Sequence, residues 1–217
     1  MAAKTSTALF RFDTRYGNLV AGCDEAGRGC FAGPLVSAAV LFDYDLLGRE
    51  EKCDLRTLHD SKKLTAKARE HLYPLIRAHA SSVAVVTYSA SHIDKFGLHK
   101  TNLRANHRAL SKVARQGAVL LSDHYQLPDV NGAVPVALTH GDSRSAAIAA
   151  ASVIAKVTRD LLMHSLDEEY PGYGFASHVG YGTPAHRQAI AELGLTPQHR
   201  RSFRGVGNPQ TTKPSAP

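Results

Sequence analysis

The segment LVAGCDEAGRG, residues 19–29, joins a short apolar run to two adjacent acids and then to a glycine-rich turn. A second apolar run, rich in valine and alanine, follows from Leu35 to Phe42. Short apolar runs on either side of a glycine-rich turn are typical of strands, so we expect two strands that pair antiparallel. Asp24 and Glu25 then stand at the end of the first strand.

Beyond residue 60 the chain alternates between helical and strand patterns. In chain order the pattern predicts a helix over 66–79 capped by Thr65, a strand over 82–88, a helix over 103–114, and strands over 118–122 and 134–138. Such alternation is typical of an α/β domain, in which helices pack against a sheet.

Two further helices are predicted near the C-terminus. Apolar residues at steps of three and four predict a long helix from Ser145 to about Glu169, and its many alanines suit close packing on a sheet. Thr183 predicts the cap of a final helix, with Pro184 at its first position and Gly194 at its end.

The composition is that of a soluble globular protein with a basic surface. At 217 residues the chain is expected to form one main domain, and its net charge of +7 favours polyanionic partners such as nucleic acid. Cys23, Cys30 and Cys53 are an odd number, and no secretory leader or membrane span is recognisable. We therefore expect reduced thiols in a cytoplasmic, monomeric protein that makes no membrane contact.

The two ends of the chain lack periodicity. We expect residues 1–15 to be a mobile N-terminal segment and residues 205–217, which include three prolines, to be a flexible tail. Residues 16–204 are the predicted folded body.

Acidic residues stand at the predicted ends of several elements: Asp24, Glu25, Asp123 and Asp142. The ends of neighbouring strands in α/β sheets face one crevice, so these four carboxylates could converge. Converging carboxylates repel one another unless a cation neutralises them, and an all-oxygen set suits Mg²⁺ or Mn²⁺. Two such ions about 3.5–4 Å apart promote hydrolysis of phosphodiesters. The alternative is that the acids are solvated and that Asp142 only caps the next helix.

Four groups of motifs follow one another along the chain. They are CDEAGRG (23–29) with GPLV (33–36), DSKKL (60–64), GDS (141–143) with IAAASVIAKVTRD (148–160), and GYGT (180–183) with His186. Together they resemble ribonuclease HII over roughly residues 19–190. This resemblance implies a ribonuclease H-like α/β fold, which is a mixed five-stranded sheet flanked by helices, with a helical C-terminal portion.

The resemblance also implies roles for individual residues. The catalytic metal ligands would be Asp24, Glu25, Asp123 and Asp142. The ribose 2′-hydroxyl would be recognised by Gly27, Arg28 and Gly29 together with Tyr181, whose ring would pack on the sugar of the next deoxynucleotide. The phosphate contacts would be Lys62, Lys63, Lys156 and Arg159.

The chain departs from the family pattern at three positions. The segment SDHYQLP (122–128) around Asp123 departs from the commoner VDG form of the family, and His140 and Val179 stand where lysines are frequent. These departures bear on phosphate contacts more than on catalysis.

The implied activity is hydrolysis on the 5′ side of a ribonucleotide embedded in duplex DNA, and of the RNA strand in RNA–DNA hybrids, leaving a 3′-hydroxyl and a 5′-phosphate. Such an enzyme would use Mn²⁺ or Mg²⁺ and serve ribonucleotide excision repair and RNA primer removal. One alternative is a ribonuclease HIII-like hybrid nuclease, although that type usually has an extra N-terminal domain and lacks the arginine found at Arg28. The other is a non-catalytic basic protein that binds nucleic acid.

A basic stripe is a separate signal. Its members are Lys100, Arg104, Arg108, Lys112 and Arg115, with no acid between the first and the last. Like charges four residues apart weaken an isolated helix, so this stripe is either a tolerated surface or a surface that faces phosphate.

Overall fold

The computed structural model describes the backbone of residues 2–206 and the side chains of residues 7–206. Within that range the chain forms five strands and eight α-helices. In chain order they are α1 Ala2–Asp13, β1 Leu19–Ala26, β2 Leu35–Asp43, α2 Arg49–Asp54, α3 Ala66–His79, β3 Ser82–Tyr88, α4 Ala90–Phe96, α5 Leu98–Val113, β4 Val119–Asp123, β5 Val136–Leu138, α6 Ala146–Glu169, α7 Phe175–His178 and α8 Pro184–Leu193. Short 3₁₀ turns lie at Ser61–Lys63 and Gly141–Ser143.

The strands form one mixed sheet in the order β3-β2-β1-β4-β5. The first three strands pair antiparallel, whereas β1, β4 and β5 run parallel to one another. The predicted mixed five-stranded sheet and the predicted antiparallel pair are therefore confirmed. Because β1 and β4 are adjacent and parallel, the acids at their C-terminal ends are brought to the same edge of the sheet.

Each face of the sheet is covered by helices. Side chains alternate along a strand, so Val20 packs in the core beneath α6, α3 and α1, while its neighbour Ala21 packs in the core beneath α5. The long helix α6 lies very close to β1 at Gly22, where an added Cβ would overlap the backbone of Ala147 and Ile148. The glycine in the first strand thus sets the distance between the sheet and the helix that follows Asp142.

The predicted helix caps Thr65 and Thr183 are confirmed, and Ser145 caps α6 in the same way. The hydroxyls of Thr65, Ser145 and Thr183 each accept a backbone hydrogen bond from the third residue after them, at 3.2 Å. Pro184 occupies the first turn of α8. These caps are local in sequence, which is why the pattern predicts them well.

The structure differs from the prediction in the shorter helices. Helices α2, α4 and α7 are not predicted, because six, seven and four residues carry too little periodicity. Helix α5 begins at Leu98, five residues before the expected Leu103, directly after Gly97, whose φ of 81° separates it from α4.

The N-terminal segment also differs from the expected mobile residues 1–15. Residues 2–13 form α1, and the side chains of Leu9 and Phe10 are buried against the core. Asp13 accepts hydrogen bonds from the hydroxyl of Tyr44 at 2.6 Å and from the backbone N–H of Ala147 at 2.9 Å. These partners lie far along the chain, so local sequence gives no sign of them. Most of the predicted flexible tail, residues 207–217, lies outside the described residues.

None of the helices in residues 2–206 combines the length and the apolar content that a membrane crossing requires.

Candidate active site

Three of the four predicted catalytic acids converge at the C-terminal edge of the sheet. Asp24 lies near the end of β1, Asp123 ends β4, and Asp142 lies in the turn Gly141–Ser143 that leads to α6. Each offers one carboxylate oxygen, and these three oxygens lie within 4.8 Å of one another. We refer to Asp24, Asp123 and Asp142 as the carboxylate cluster.

Local hydrogen bonds hold the carboxylate cluster in place. The N–H of Gly141 donates to Oδ1 of Asp123 at 2.7 Å, which ties the turn carrying Asp142 to the end of β4. The N–H of Glu25 donates to Oδ1 of Asp24 at 2.7 Å. The frame around Asp123 is therefore intact despite the atypical residues that follow it.

The electrostatics of the cluster call for a cation. Burial raises the pKa of Asp24 well above its usual range, and the charges of Glu25 and Asp123 raise it further. The pKa of Asp142 is likewise raised by burial and then by the charges of Asp60 and Asp123. Three oxygen donors with unrelieved mutual repulsion fit a hard divalent ion such as Mg²⁺ or Mn²⁺ better than zinc.

Lys62 gives the cluster partial compensation. Its Nζ lies 3.8 Å from Oδ2 of Asp142, and its side chain is largely exposed. Burial lowers the pKa of Lys62, but Asp24 and Asp142 together outweigh this, so the net pKa is raised. One exposed ammonium cannot neutralise three carboxylates, so the cluster keeps a negative charge that a metal ion can balance.

Glu25 lies beside the carboxylate cluster rather than within it. Its Oε2 accepts a hydrogen bond of 2.8 Å from Nδ2 of Asn106 on α5, and its Oε1 lies 3.6 Å from Nη1 of Arg28. Burial raises the pKa of Glu25, while Asn106 and Arg28 lower it in part. The role of Glu25 as a fourth metal ligand remains a prediction.

Asp24 and Asp123 of the carboxylate cluster line a cleft that also contains most of the predicted substrate-binding residues. The predicted residues that line it are Gly27, Arg28, Gly29, Lys62, Lys156, Arg159 and Tyr181. Lys63 lies in an adjoining groove next to Asp60 and Asp142. Nζ of Lys156 lies 2.6 Å from Oδ1 of Asp160, so this lysine is partly neutralised within its own helix.

The two glycines of the turn differ in what surrounds them. Gly27 has a φ of 90° and an added Cβ would overlap the side chain of Arg159. Gly29 is exposed, and an added Cβ there would meet no atom within 4 Å. Gly27 is therefore needed for the fold of the turn, whereas the absence of a side chain at Gly29 leaves open space in front of the cleft.

The prediction that Arg159 contacts phosphate is not supported by its surroundings. The residue is buried, and its guanidinium donates to the backbone oxygens of Pro34 at 3.0 Å, Val179 at 2.8 Å and Ala32 at 3.1 Å. With Nε and both terminal nitrogens engaged in this way, Arg159 joins the loop after β1 to the segment before Tyr181. Because these acceptors come from distant loops, the sequence alone could not distinguish this role from a surface contact.

Tyr181 is supported by a group of histidines. Nδ1 of His186 donates to the backbone oxygen of Tyr181 at 2.8 Å, and its Nε2 lies 3.1 Å from Nε2 of His199. Burial lowers the pKa of His186 to about 4, so this ring is neutral at physiological pH. The half-exposed Tyr181 is thus attached to the start of α8 by a neutral hydrogen-bonded pair.

Three residues of the site were not singled out from the sequence. The charge of Asp60 raises the pKa of Asp142, and Asn106 donates a hydrogen bond to Glu25. The centre of the Tyr125 ring lies 4.8 Å from the guanidinium carbon of Arg28. Asp60 belongs to the DSKKL motif, and Tyr125 belongs to the segment that departs from the family pattern. No local feature of the sequence indicated a role for Asn106.

The basic stripe lies on the exposed side of α5 and just beyond its end. Its members Lys100, Arg104, Arg108, Lys112 and Arg115 are all exposed. Nη2 of Arg115 donates to the backbone oxygen of Ser81 at 3.0 Å. A phosphate-binding role for the stripe remains a prediction.

Comparison with known proteins identifies one family. The family model described as Ribonuclease HII matches residues 21–206. The chain is 47% identical over 188 residues to a ribonuclease HII of Mycobacterium avium (strain 104), a match that covers 86% of this chain and 79% of that protein.

Solved structures show the same fold. The ribonuclease H2 of Pyrococcus horikoshii OT3 superposes with a TM-score of 0.73 at 25% identity, covering 87% of this chain and 95% of that one. The ribonuclease HII of Archaeoglobus fulgidus, solved in complex with PCNA, superposes with a TM-score of 0.69 at 27% identity, covering 86% and 95%. The chain therefore belongs to the ribonuclease HII family of metal-dependent ribonuclease H hydrolases.

Proposed function

We propose that this ribonuclease H hydrolyses the phosphodiester bond on the 5′ side of a ribonucleotide embedded in duplex DNA, and also cuts the RNA strand of RNA–DNA hybrids. The products would carry a 3′-hydroxyl and a 5′-phosphate. One observation carries the proposal: Asp24 of the carboxylate cluster and the glycine turn lie together at the end of β1, and Asp24 and Asp123 line one cleft with Gly27 and Gly29. Cutting and ribose recognition would then occur within a few residues of each other.

Asp24, Asp123 and Asp142 would hold the divalent metal, with Glu25 beside them. When bound, Mg²⁺ or Mn²⁺, in a two-ion arrangement, would supply positive charge against the phosphate and favour in-line displacement by water. The protein's own contribution is to hold three carboxylates together at the end of two parallel strands, through the bond from Gly141 to Asp123 and the close packing of α6.

Ribose recognition would come from the open side of the turn. The space in front of Gly29 allows a sugar to approach the backbone, whose amides can bind a 2′-hydroxyl. Tyr181 lines the same cleft, and its backbone is fixed by His186. Lys62 and Lys156 in the cleft, and Lys63 beside it, would contact phosphates without sequence preference.

The biological role that follows is removal of ribonucleotides from DNA, in ribonucleotide excision repair and in RNA primer removal. The partners would be ribonucleotide-containing duplex DNA and RNA–DNA hybrids, which suit a chain with a net charge of +7. Residues 16–204 would carry the activity.

The deciding experiment is cleavage-site mapping on three duplexes: DNA with a single ribonucleotide, a uniform RNA–DNA hybrid, and all-DNA. Mg²⁺ and Mn²⁺ are supplied separately, and a chelator serves as the metal-free control. We expect a cut on the 5′ side of the single ribonucleotide, none in all-DNA, and none without metal. Cleavage of the hybrid alone would favour the ribonuclease HIII-like alternative, and binding without any cleavage would favour the non-catalytic one.

A further inference from the structure

The loop after β4 places an aromatic ring on the wall of the cleft. His124 has a φ of 63°, in the left-handed region, and its N–H donates to the backbone oxygen of Leu138 at 2.9 Å. The hydroxyl of Ser122 donates to the backbone oxygen of Tyr125 at 2.7 Å. These bonds fix the backbone on both sides of the turn, so Tyr125 projects from a rigid support.

The ring of Tyr125 contacts the arginine of the glycine turn. The guanidinium carbon of Arg28 lies 4.8 Å from the centre of the ring. The rings of His124 and His99 meet Tyr125 edge-on, with centroid distances of 4.8 Å and 5.5 Å. The partly buried tyrosine therefore lies between its neighbour His124 and the start of α5, and it offers one face to Arg28.

Arg28 is held from two sides. On the other side of its guanidinium, Nη1 lies 3.6 Å from Oε1 of Glu25. An ion pair of that length on a partly exposed side chain is weak by itself. A cation above an aromatic face adds attraction and restricts the long side chain, whose free rotamers would otherwise oppose ordering.

Arg28 keeps capacity to bind a substrate. Its Nε is buried without a hydrogen-bond partner among the residues that the structure describes, so the donors open to a substrate are those of the terminal nitrogens on the partly exposed side chain. Part of the side chain is exposed in the cleft next to the carboxylate cluster. An arginine held in one orientation with unused donors suits an oxygen of a nucleic-acid backbone.

We infer that Tyr125 is a positioning residue, which orients the guanidinium of Arg28 toward the sugar–phosphate backbone of the substrate. The inference rests on the proposed function, since it concerns the same cleft and the same substrate class. It also assigns a function to Tyr125, which lies in the segment where this chain departs from the more common family pattern.

The test is a double-mutant cycle on the single-ribonucleotide duplex and on the hybrid. The variants are Tyr125→Phe, Tyr125→Leu, Arg28→Ala and the combination of the last with Tyr125→Leu. We expect Tyr125→Leu to raise KM roughly three- to tenfold with kcat nearly unchanged, whereas Tyr125→Phe keeps the ring and the wild-type KM. In the Arg28→Ala background, Tyr125→Leu should have no further effect.

Two results would overturn the inference. An equal loss from Tyr125→Leu with and without Arg28 would show that Tyr125 acts independently of the arginine, either on substrate or on folding. A loss in Tyr125→Phe as large as in Tyr125→Leu would assign the effect to the hydroxyl. Thermal unfolding of each variant identifies a folding defect.

The same cycle is repeated on duplex affinity, measured by fluorescence anisotropy in chelator. The proposed function fails if the wild-type protein cuts neither duplex, and the affinity cycle still decides whether Tyr125 acts through Arg28.

Discussion

Asn106 donates from Nδ2 to Oε2 of Glu25 across 2.8 Å, although the two residues are 81 positions apart. The hydroxyl of Ser37, which lies on β2 opposite Glu25, donates to Oδ1 of Asn106. Because a carboxylate accepts hydrogen bonds, the amide nitrogen of Asn106 faces Glu25 and the amide oxygen faces the hydroxyl of Ser37. A helix on one face of the sheet thus orients a carboxylate at the edge of the site.

Asn106→Ala should lower activity by roughly 10- to 100-fold, because partners that orient the acids of a metal site typically contribute that much. The metal concentration needed for half-maximal activity should rise at the same time. Kinetics over a range of Mg²⁺ concentrations measure both effects. Asn18→Ala is the matched control, since Asn18 bonds to exposed Asp45 instead. Unchanged metal dependence in Asn106→Ala would contradict a role at the site.

Asp142→Asn should reduce cleavage by more than about 100-fold, because it removes one oxygen donor from the carboxylate cluster. The protein should nevertheless stay folded, since the raised pKa of Asp142 shows that its charge is unfavourable without a cation. Thermal unfolding in chelator should give a melting temperature at least equal to that of wild type. Added Mn²⁺ should stabilise wild type more than the variant. Persistent activity would show that the ligand set is misassigned.

Gly29→Ala should impair cleavage at a single ribonucleotide while leaving stability nearly unchanged. The new methyl group meets no protein atom within 4 Å, but it occupies the space in which a sugar would approach. Gly27→Ala is the contrasting variant, because its Cβ would collide with Arg159 at a φ of 90° and should destabilise the fold. Paired measurements of kcat/KM and denaturant unfolding separate the two. Full activity in Gly29→Ala would exclude close approach at that position.

Arg159→Gln should destabilise the protein by about 3 kcal/mol or more, since it leaves several buried backbone oxygens without donors. Denaturant unfolding measures this loss. Lys156→Gln, three residues away and lining the cleft, should have little effect on stability but should weaken duplex binding and its dependence on salt. If Arg159→Gln instead kept full stability and reduced the salt dependence of duplex binding, the result would support a phosphate contact by Arg159.

Asp13→Asn should change how stability depends on pH. Burial raises the pKa of Asp13 from 3.8 to about 6, so the folded state binds more protons than the unfolded state between these values. The contribution of Asp13 to the free energy of unfolding is therefore full below about pH 4 and falls as pH rises to 6, by roughly 3 kcal/mol in total.

Because asparagine is neutral throughout, the Asp13→Asn variant should gain stability relative to wild type as pH increases from 4 to 7. Urea unfolding at several pH values measures this difference, with exposed Asp45→Asn as the control. Parallel pH profiles for wild type and Asp13→Asn would refute the assignment.

Much of the fold was predictable because its determinants are local. Apolar periodicity marked the strands and the long helices, and Thr65, Ser145 and Thr183 marked helix starts through bonds to residues three positions ahead. The convergence of Asp24 and Asp123 followed from their positions at the ends of strands. The local pattern could not predict the short helices, because they have too few residues to show a period. It also could not predict the contacts of the N-terminal segment, because their partners lie far along the chain.

The sequence by itself determined the family, the order of the main elements and the acids that end them, because motifs and periodicity are written in neighbouring residues. Only the tertiary structure decided that Arg159 is a buried link, that Asp13 binds the start of α6, and that Glu25 faces Asn106 and Arg28. Each of these contacts depends on where a side chain finds a partner in space. Such a choice is set by the packing of helices on the sheet, and it leaves no periodic trace in the chain.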